Sequence, residues 1–129
     1  MEFIETVYNK KTIEEHKAEA IKLRNKHPDR IPVIVDRARK DDPQLDKHKY
    51  LVPSDLTMGQ FIMIIRKRLK EQLPPEKALF WFSDQNTMVP LSFLMSQIYK
   101  QYAGESQFLV LRYSTETTFG LKKKLKIKN

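Results

Sequence analysis

The hydrophobic positions near the middle of the chain follow the period of a helix. They lie three or four residues apart, which places them on one face, and Thr57 with Gln60 forms a capping box that marks the helix start. Arg66, Lys67 and Arg68 come just past the apolar stripe, where positive charge suits the negative end of the helix dipole. The pattern predicts an amphipathic helix with a basic end. Its apolar face consists of Phe61, Ile64, Ile65 and Leu69.

Two further segments show helical spacing. The first covers residues 2–27, where Thr12 and Glu15 form a second capping box and Pro28 ends the helix. Its predicted apolar face holds Ile13, Ala20 and Leu23. The second ends before Gly104, since glycine commonly follows a helix C-terminus. Its repeating apolar residues are Leu91, Leu94, Met95, Ile98 and Tyr102.

Four short runs have the composition of β-strands. Residues 31–35 are continuously apolar and mostly β-branched, which is typical of a strand covered on both faces, and Pro32 is tolerated near its beginning. Residues 49–52 follow after a polar connection and complete a hairpin. The remaining runs are residues 79–82 and 108–113. The order helix, strand, strand, helix, strand, helix, strand predicts an α+β fold.

Two of these strands suggest binding surfaces. Residues 49–52 form a short run followed by Pro53, so we expect an edge strand whose free backbone groups can accept an added peptide strand. In the third strand, alternation turns Phe80 and Phe82 one way and Trp81 the other, which predicts one exposed aromatic side. The alternative is that both phenylalanines pack under the loop that follows.

Composition and charge exclude several classes of function. The chain contains no cysteine, which removes disulfides and thiolate nucleophiles and fits a reducing compartment. No apolar run approaches the roughly 20 residues of a membrane span, and the first residues are too acidic for a signal peptide, so we predict a cytoplasmic protein. The net charge is +8, but residues 121–129 hold five lysines and no acid, which leaves +3. Only the basic end of the central helix suggests a nucleic-acid surface, so we expect no specific nucleic-acid partner.

The sequence contains no recognisable catalytic or metal-binding motif. His16, His27 and His48 do not have metal-ligand spacing, and three glycines form no phosphate-binding loop. The adjacent acids Glu14-Glu15 and Asp41-Asp42 are interpreted as ordinary first-turn and loop charges. We therefore predict that the chain is not an enzyme and holds no metal or cofactor.

Several short stretches together resemble one family. Residues 49–57 read Lys-Tyr-Leu-Val-Pro-Ser-Asp-Leu-Thr, and Gly-Gln-Phe and Ile-Arg-Lys-Arg follow in the central helix. Residues 29–34 read Asp-Arg-Ile-Pro-Val-Ile, and residues 118–120 read Thr-Phe-Gly. These stretches resemble the signature of the autophagy-related ubiquitin-like modifiers, the microtubule-associated light chain 3 and GABARAP family. The resemblance spans nearly the whole chain.

The resemblance implies a domain organisation. The fold would be a ubiquitin-like β-grasp roll in which residues 1–28 form an added N-terminal helical segment packed on a core of residues 29–113. Residues 114–120 would be an extended conjugation tail, and residues 121–129 a basic extension that is removed.

The resemblance also implies a groove at the predicted edge strand for a short partner motif of the form aromatic-x-x-aliphatic. The pocket for the aromatic side chain consists of Glu19, Leu23, Pro32, Ile34, Lys49, Leu51 and Phe108. The pocket for the aliphatic side chain consists of Tyr50, Val52, Pro53, Leu56, Phe61 and Ile64. Arg30, Lys47 and Arg66 form a charged rim. The alternative for Ile34, Phe61 and Ile64 is that they are only core residues.

The same resemblance implies a covalent fate for the carboxyl end. A cysteine protease would cut after Gly120, which follows Phe119, and activating and conjugating enzymes would join Gly120 to phosphatidylethanolamine. The product would be a membrane-bound adaptor for autophagy receptors and cargo, monomeric before lipidation. It would be cytoplasmic and, once lipidated, located on the autophagosome or a related vesicle. Phe80 and Phe82 match an aromatic pair that contacts the processing protease.

Three departures from the family and two other interpretations stay open. The connection through Lys70-Glu71-Gln72 is longer than expected and predicts an extra helical turn, and Ser83-Asp84-Gln85 replaces a more apolar loop start. The basic residues 121–129 are either disposable or touch anionic lipid. A ubiquitin-like docking or scaffold domain that is never conjugated is one alternative function, and a basic nucleic-acid binder is the other.

Overall fold

The computed structural model describes residues 11–116 and confirms the predicted order of elements. The three helices are α1 (Ile13–Lys26), α2 (Met58–Arg68) and α3 (Met95–Tyr102). The four strands are β1 (Arg30–Arg37), β2 (Lys49–Pro53), β3 (Phe80–Ser83) and β4 (Leu109–Ser114). The strands form one mixed sheet in the order β2-β1-β4-β3, and with the helices they make the predicted α+β arrangement.

The sheet places the hairpin at one edge and the last strand in the middle. β1 pairs antiparallel with β2 and parallel with β4, and β3 pairs antiparallel with β4. Residues 31–36 are buried, as expected for a strand flanked on both sides and covered on both faces. Pro32 precedes the first parallel pair, Val33 with Leu109, so its missing N–H removes no bond from the ladder. β2 lies at the outer edge, as predicted.

Each face of the sheet has its own core. Among residues 11–116, the face covered by α2 and α3 carries a large core of seventeen buried residues. The opposite face, covered by α1, carries a small core of four buried residues with Leu23 packed against them. The small core consists of Ala20, Ile34, Phe108 and Val110.

The first helix begins where predicted but buries a narrower face. Thr12 and Glu15 form the reciprocal capping box. The buried residues of α1 are His16 and Ala20, one turn apart, whereas Ile13 in the first turn is 47% exposed. The prediction that Ile13 shares the buried face was therefore wrong. The earlier part of the predicted helix, residues 2–10, lies outside the described residues.

The central helix shows a similar difference. Its capping box at Thr57 forms as predicted. Phe61, Ile65 and Leu69 are fully buried, but Ile64 is 42% exposed. Ile64 and Ile65 are adjacent, so they point about 100° apart around the helix, and only one of them can face the sheet squarely.

The third helix begins later than predicted, at Met95, with Leu94 as its N-cap. Leu91 precedes the helix and is 58% exposed. Its carbonyl instead accepts a hydrogen bond from the Gly59 amide at 3.0 Å, and the Phe93 carbonyl accepts one from the Met58 amide at 2.9 Å. Residues 91–93 therefore accept hydrogen bonds from backbone amides at the start of α2. The apolar residues here have helical spacing, but the segment is a turn and not part of a helix.

The connection after α2 and the end of β4 also differ from the predictions. The stretch Lys70-Glu71-Gln72 is a turn and not an extra helical turn, because α2 ends at Arg68. Gln72 anchors this turn through a pair of reciprocal hydrogen bonds with the backbone of Gln44, at 2.9 and 2.8 Å. At the carboxyl end, β4 includes the buried Ser114, one residue past the predicted end of the strand at residue 113. Within residues 11–116, no helix combines the length and apolar character that crossing a bilayer requires.

Candidate functional site

The free edge of β2 presents its backbone groups in a regular order. In the β1–β2 register, Ile31 pairs with Val52 and Val33 with Tyr50. The flanking bonds, from the Val35 amide to the His48 carbonyl and from the Ser54 amide to the Asp29 carbonyl, identify these as the hydrogen-bonded pairs. The N–H and C=O groups of the alternate residues, Lys49 and Leu51, therefore point away from β1 toward the open edge.

Side chains at this edge divide between the two faces of the sheet. Lys49 pairs with Ile34 and Leu51 with Pro32, so these four residues lie on the α1 side. Tyr50 and Val52 alternate with them and lie on the side of α2. Pro53 falls on the α1 side by register, so the structure does not bring it together with the other residues of the predicted aliphatic pocket.

The predicted aromatic pocket is brought together on the α1 side. Ile34 and Phe108 are 0% and 1% exposed and form its floor, together with buried Pro32. Four half-buried residues surround this floor and remain accessible. They are Glu19 and Leu23 from α1 and Lys49 and Leu51 from β2.

An ion pair ties the edge strand to α1 across this pocket. Lys49 Nζ lies 2.8 Å from Glu19 Oε1 and 5.8 Å from the centroid of the Phe108 ring. Lys11 Nζ reaches the same Glu19 oxygen at 3.2 Å. Partial burial of the Glu19 carboxyl opposes ionisation, but the hydrogen bonds from Lys49 and Lys11 outweigh it and hold the pKa of Glu19 below its ordinary value. The pocket wall is therefore charged at neutral pH.

The predicted aliphatic pocket lies on the α2 side, where its residues range from buried to exposed. Phe61 is fully buried, with its ring edge-on to Tyr50 at 5.8 Å and to Trp81 at 6.1 Å. Val52 is buried, and Tyr50 and Leu56 are half-buried. Ile64 is the exposed member. Ile34 and Phe61 are thus core residues that also underlie the two surfaces, whereas Ile64 is not a core residue.

The three rim cations differ in how they are held. Arg30 donates to the Leu51 carbonyl over a long 3.4 Å, and Lys47 Nζ lies 5.7 Å from the Tyr50 ring centroid. Arg66 does not stand free. Its guanidinium donates to the carbonyls of Pro74, Pro75 and Lys77 at 3.4, 3.2 and 2.9 Å, so its main role here is to hold the connection after α2.

The second predicted surface is more covered than expected. Phe80 is half-buried, but Phe82 is only 5% exposed. Phe82 also forms an isolated bridge with Met88, in the loop that follows β3. The structure therefore does not show the exposed pair of phenylalanines that strand alternation suggested. Phe119 and Gly120, the predicted cleavage and conjugation residues, lie outside the described residues.

Three contributions at or near the site were not predicted from the sequence. Lys11 joins the ion pair at Glu19 from eight residues away. Arg68 forms a bidentate pair with Asp46, at 3.2 and 3.1 Å, which holds the pKa of Asp46 below its ordinary value. Asp42, interpreted from the sequence as an ordinary loop charge, is buried. The one available signal was the placement of Asp42 directly before Pro43, and that pattern indicates a turn without indicating burial.

The geometry suits an added β-strand. In an extended peptide, residues three apart point to opposite faces, because side chains alternate with a period of two. A peptide bonded to Lys49 and Leu51 would thus direct one such side chain toward the α1-side pocket and the other toward the α2-side pocket. The edge can accept two side chains at this spacing together with backbone hydrogen bonds.

Comparisons with known proteins agree with this fold. A family model described as "Autophagy protein Atg8 ubiquitin like" matches residues 15–120. Autophagy-related protein 8d of Arabidopsis thaliana is 52% identical over 110 residues, covering 84% of this chain and 89% of that protein. Autophagy-related protein 8 of Mycosarcoma maydis is 53% identical over 113 residues, covering 87% and 93%. The crystal structure of Trypanosoma brucei ATG8 superposes with a TM-score of 0.75 at 42% identity, covering 86% of this chain and 95% of that one. The chain belongs to the Atg8 family of ubiquitin-like autophagy modifiers.

Proposed function

We propose that this autophagy modifier is conjugated through Gly120 to phosphatidylethanolamine and then captures receptors and cargo by their aromatic-x-x-aliphatic motifs. The observation that supports capture is the free edge of β2, with one group of pocket residues on each face. The chain acts as a substrate and adaptor and not as an enzyme. Its membrane location, on the autophagosome, follows from the attached lipid.

The α1-side pocket takes the aromatic side chain, because its floor is apolar, with Ile34 and Phe108, and its wall carries the alkyl stem and charge of Lys49. The aliphatic side chain lies on the α2 side between Leu56 and Ile64. Each side chain contributes about 1.5 to 3 kcal/mol when fully buried, and backbone bonds to Lys49 and Leu51 set the register. Association has its own entropic cost, so we expect a dissociation constant of about 1 μM.

Acidic residues that precede the aromatic residue of the motif would lie near cationic side chains at the edge of β2. Arg30, Lys47 and Lys49 surround the edge, and Arg30 can exchange its long bond to the Leu51 carbonyl for a partner carboxylate. These ion pairs would be exposed to solvent, so they raise the association rate more than the affinity. Both the rate and the affinity fall as salt concentration rises.

The carboxyl end supports conjugation through two features of the sequence. Thr118-Phe119-Gly120 matches the family's conjugation signature, and the family model ends its match at Gly120, before the nine residues of the basic extension. Glycine has no Cβ, so its carboxylate can enter narrow enzyme sites. A processing cysteine protease would free this carboxylate, with the half-buried Phe80 among its contacts. Activating and conjugating enzymes would transfer it to the lipid, whose two acyl chains anchor the protein stably.

Hydrogen exchange tests the docking edge directly. Adding a peptide with one aromatic-x-x-aliphatic motif should increase protection of the Lys49 and Leu51 amides. The Tyr50 and Val52 amides already bond to β1 and should change little. A peptide with both motif residues changed to alanine is the matched control. Protection of α1 amides without any change at Lys49 and Leu51 would reject strand addition.

Intact mass tests conjugation. Protein recovered from the membrane fraction of its own cells should end at Gly120 and carry one phosphatidylethanolamine, and Gly120→Ala should abolish this form. A chain that still ends at Asn129 in that fraction would favour a docking domain that is never conjugated.

A further inference from the structure

The loop between β1 and β2 holds the end of β4 through one buried carboxylate. Asp42 is 2% exposed. Its Oδ1 accepts hydrogen bonds from the Ser114 hydroxyl at 3.1 Å, the Thr115 amide at 3.0 Å and the Thr115 hydroxyl at 3.2 Å. Its Oδ2 accepts one from the Arg39 amide at 2.8 Å. We call this arrangement of Asp42 with Ser114 and Thr115 the tail clamp.

Neighbouring groups brace the tail clamp from the loop side. The Arg39 guanidinium lies 3.6 Å from Asp42 Oδ1, and Arg37 Nη1 donates to the Asp42 carbonyl at 3.2 Å. The Tyr113 hydroxyl donates to the Pro43 carbonyl. Donors therefore approach both carboxylate oxygens. The three bonds from Ser114 and Thr115 share Oδ1, so only a substitution that removes both oxygens, such as Asp42→Ala, is certain to break them.

The tail clamp lies where the chain leaves the sheet. β4 ends at Ser114, and the Asp42 carboxylate holds Thr115 directly after it. Gly120 comes five residues later. Five fully extended residues span at most about 17 Å, so the position of Thr115 limits which enzyme sites Gly120 can reach from the core.

We infer that Asp42 is a positioning residue for tail processing and conjugation, an inference that rests on the proposed function. By holding Ser114 and Thr115, it fixes the point at which the tail leaves the core, and enzymes bound on the core therefore receive the tail from one direction. Ser114 is also held by its pairing with Phe80 in the sheet, so loss of the carboxylate releases Thr115 and lengthens the tether to Gly120 from five residues to six. The effective concentration of Gly120 at a core-bound site then falls with at least about the 3/2 power of tether length, and its direction of approach is lost as well.

The test measures cleavage of the full chain by a purified processing cysteine protease, with release of peptide 121–129 followed by mass spectrometry. Asp42→Ala removes both acceptor oxygens and should abolish hydrogen-exchange protection of the Thr115 amide. It should leave KM near its original value, because the enzyme's contacts with the core persist, and lower kcat about two- to tenfold. Most of that decrease comes from the lost direction of approach, because one added tether residue lowers the effective concentration only about 1.3-fold. Inserting two glycines between Glu116 and Thr117 lengthens the tether without touching the tail clamp and should lower kcat only about 1.7-fold.

Each other outcome has a defined meaning. If the unaltered chain is not cut after Gly120, the proposed conjugation fails and this inference fails with it. If the unaltered chain is cut and Asp42→Ala is cut with equal kcat despite an unprotected Thr115 amide, only the inference fails. Loss of motif-peptide binding at β2 in parallel with kcat would make Asp42 purely structural and would also overturn it. Thr115→Val, which removes one hydroxyl donor, replaces Asp42→Ala if that variant does not fold, with a smaller decrease in kcat expected.

Discussion

The two faces of the sheet supply one pocket each to the same edge strand, but they are built differently. On the α2 side, the pocket rests on the large core of seventeen buried residues. On the α1 side, it rests on the small core of four, and the helix is also held to the edge strand by the Glu19–Lys49 ion pair. On the α2 side, the residues that form the pocket therefore contribute more to the stability of the fold than they do on the α1 side.

This difference shows how one edge can be both stable and adaptable. The deep α2-side floor holds a fixed shape, because close-packed interiors resist small movements. The α1 side depends more on half-buried and charged residues, which can rearrange without opening the main core. The four predictions below test this contrast.

Matched phenylalanine-to-alanine substitutions give the largest expected effect. Phe61 and Phe108 are both almost fully buried, one in each core. Phe61→Ala should lower the free energy of unfolding by about 4 to 5 kcal/mol and Phe108→Ala by about 3, because α1 can settle toward its smaller core and reduce the cavity. Urea unfolding of both variants measures this. Equal losses would contradict the proposed difference between the faces.

Leu51→Ala should weaken motif-peptide binding more than it weakens the fold. Leu51 is half-buried on the α1 side, so its removal leaves little cavity but takes away a contact for the aromatic side chain. We expect a loss of about 1.5 kcal/mol in binding, roughly tenfold in dissociation constant, by calorimetry. Leu91→Ala, at another partly exposed leucine outside both pockets, is the control and should bind normally.

Ile64→Ala tests the α2-side pocket without disturbing its floor. Ile64 is 42% exposed, and its neighbour Met63 is 63% exposed but is not a pocket residue. We expect Ile64→Ala to weaken peptide binding about fivefold, or about 1 kcal/mol, with Met63→Ala near the original affinity. Equal weakening by both substitutions would show that the aliphatic residue of the motif binds elsewhere on α2.

Removing the Glu19–Lys49 ion pair should have the smallest effect on the free energy of unfolding, and that effect should depend on pH. The pKa of Glu19 is held below its ordinary value of 4.5, so its contribution to stability is present above that pH and is lost as pH falls through the folded-state pKa. Glu19→Gln should cost about 0.5 kcal/mol at pH 7, since the group is partly exposed, and the difference should shrink as pH is lowered to 3. Thermal unfolding of both proteins across this range measures it. A difference that grew at low pH would contradict the ion pair.

Local patterns predicted most of the fold. The capping boxes at Thr12 and Thr57 require only residues three apart, and the apolar run of β1 and the short, proline-bounded β2 are equally local. These signals determined the order of the seven elements and the edge position of β2. The resemblance, and not periodicity, supplied the two sets of pocket residues.

The errors arose where a residue outside the local pattern makes the decisive contact. Leu91 has helical spacing, but its carbonyl accepts a hydrogen bond from the start of α2. Phe82 lies on the strand face that alternation predicted to be exposed, but it pairs with Met88. Arg66 belongs to a basic cluster, yet its donors are taken by carbonyls after α2. In each case a residue outside the pattern decided the outcome, from six residues away for Phe82 to thirty-two for Leu91.

The sequence by itself determined the elements, their order and the family, because caps, periodicity and signature residues act over a few neighbouring positions. Only the tertiary structure decided which face of the sheet each pocket residue occupies, that Pro53 falls on the α1 side, and that Asp42 holds the end of β4. Strand pairing joins residues far apart in the chain, and burial turns a loop charge into an anchor only when donors from a distant strand surround it.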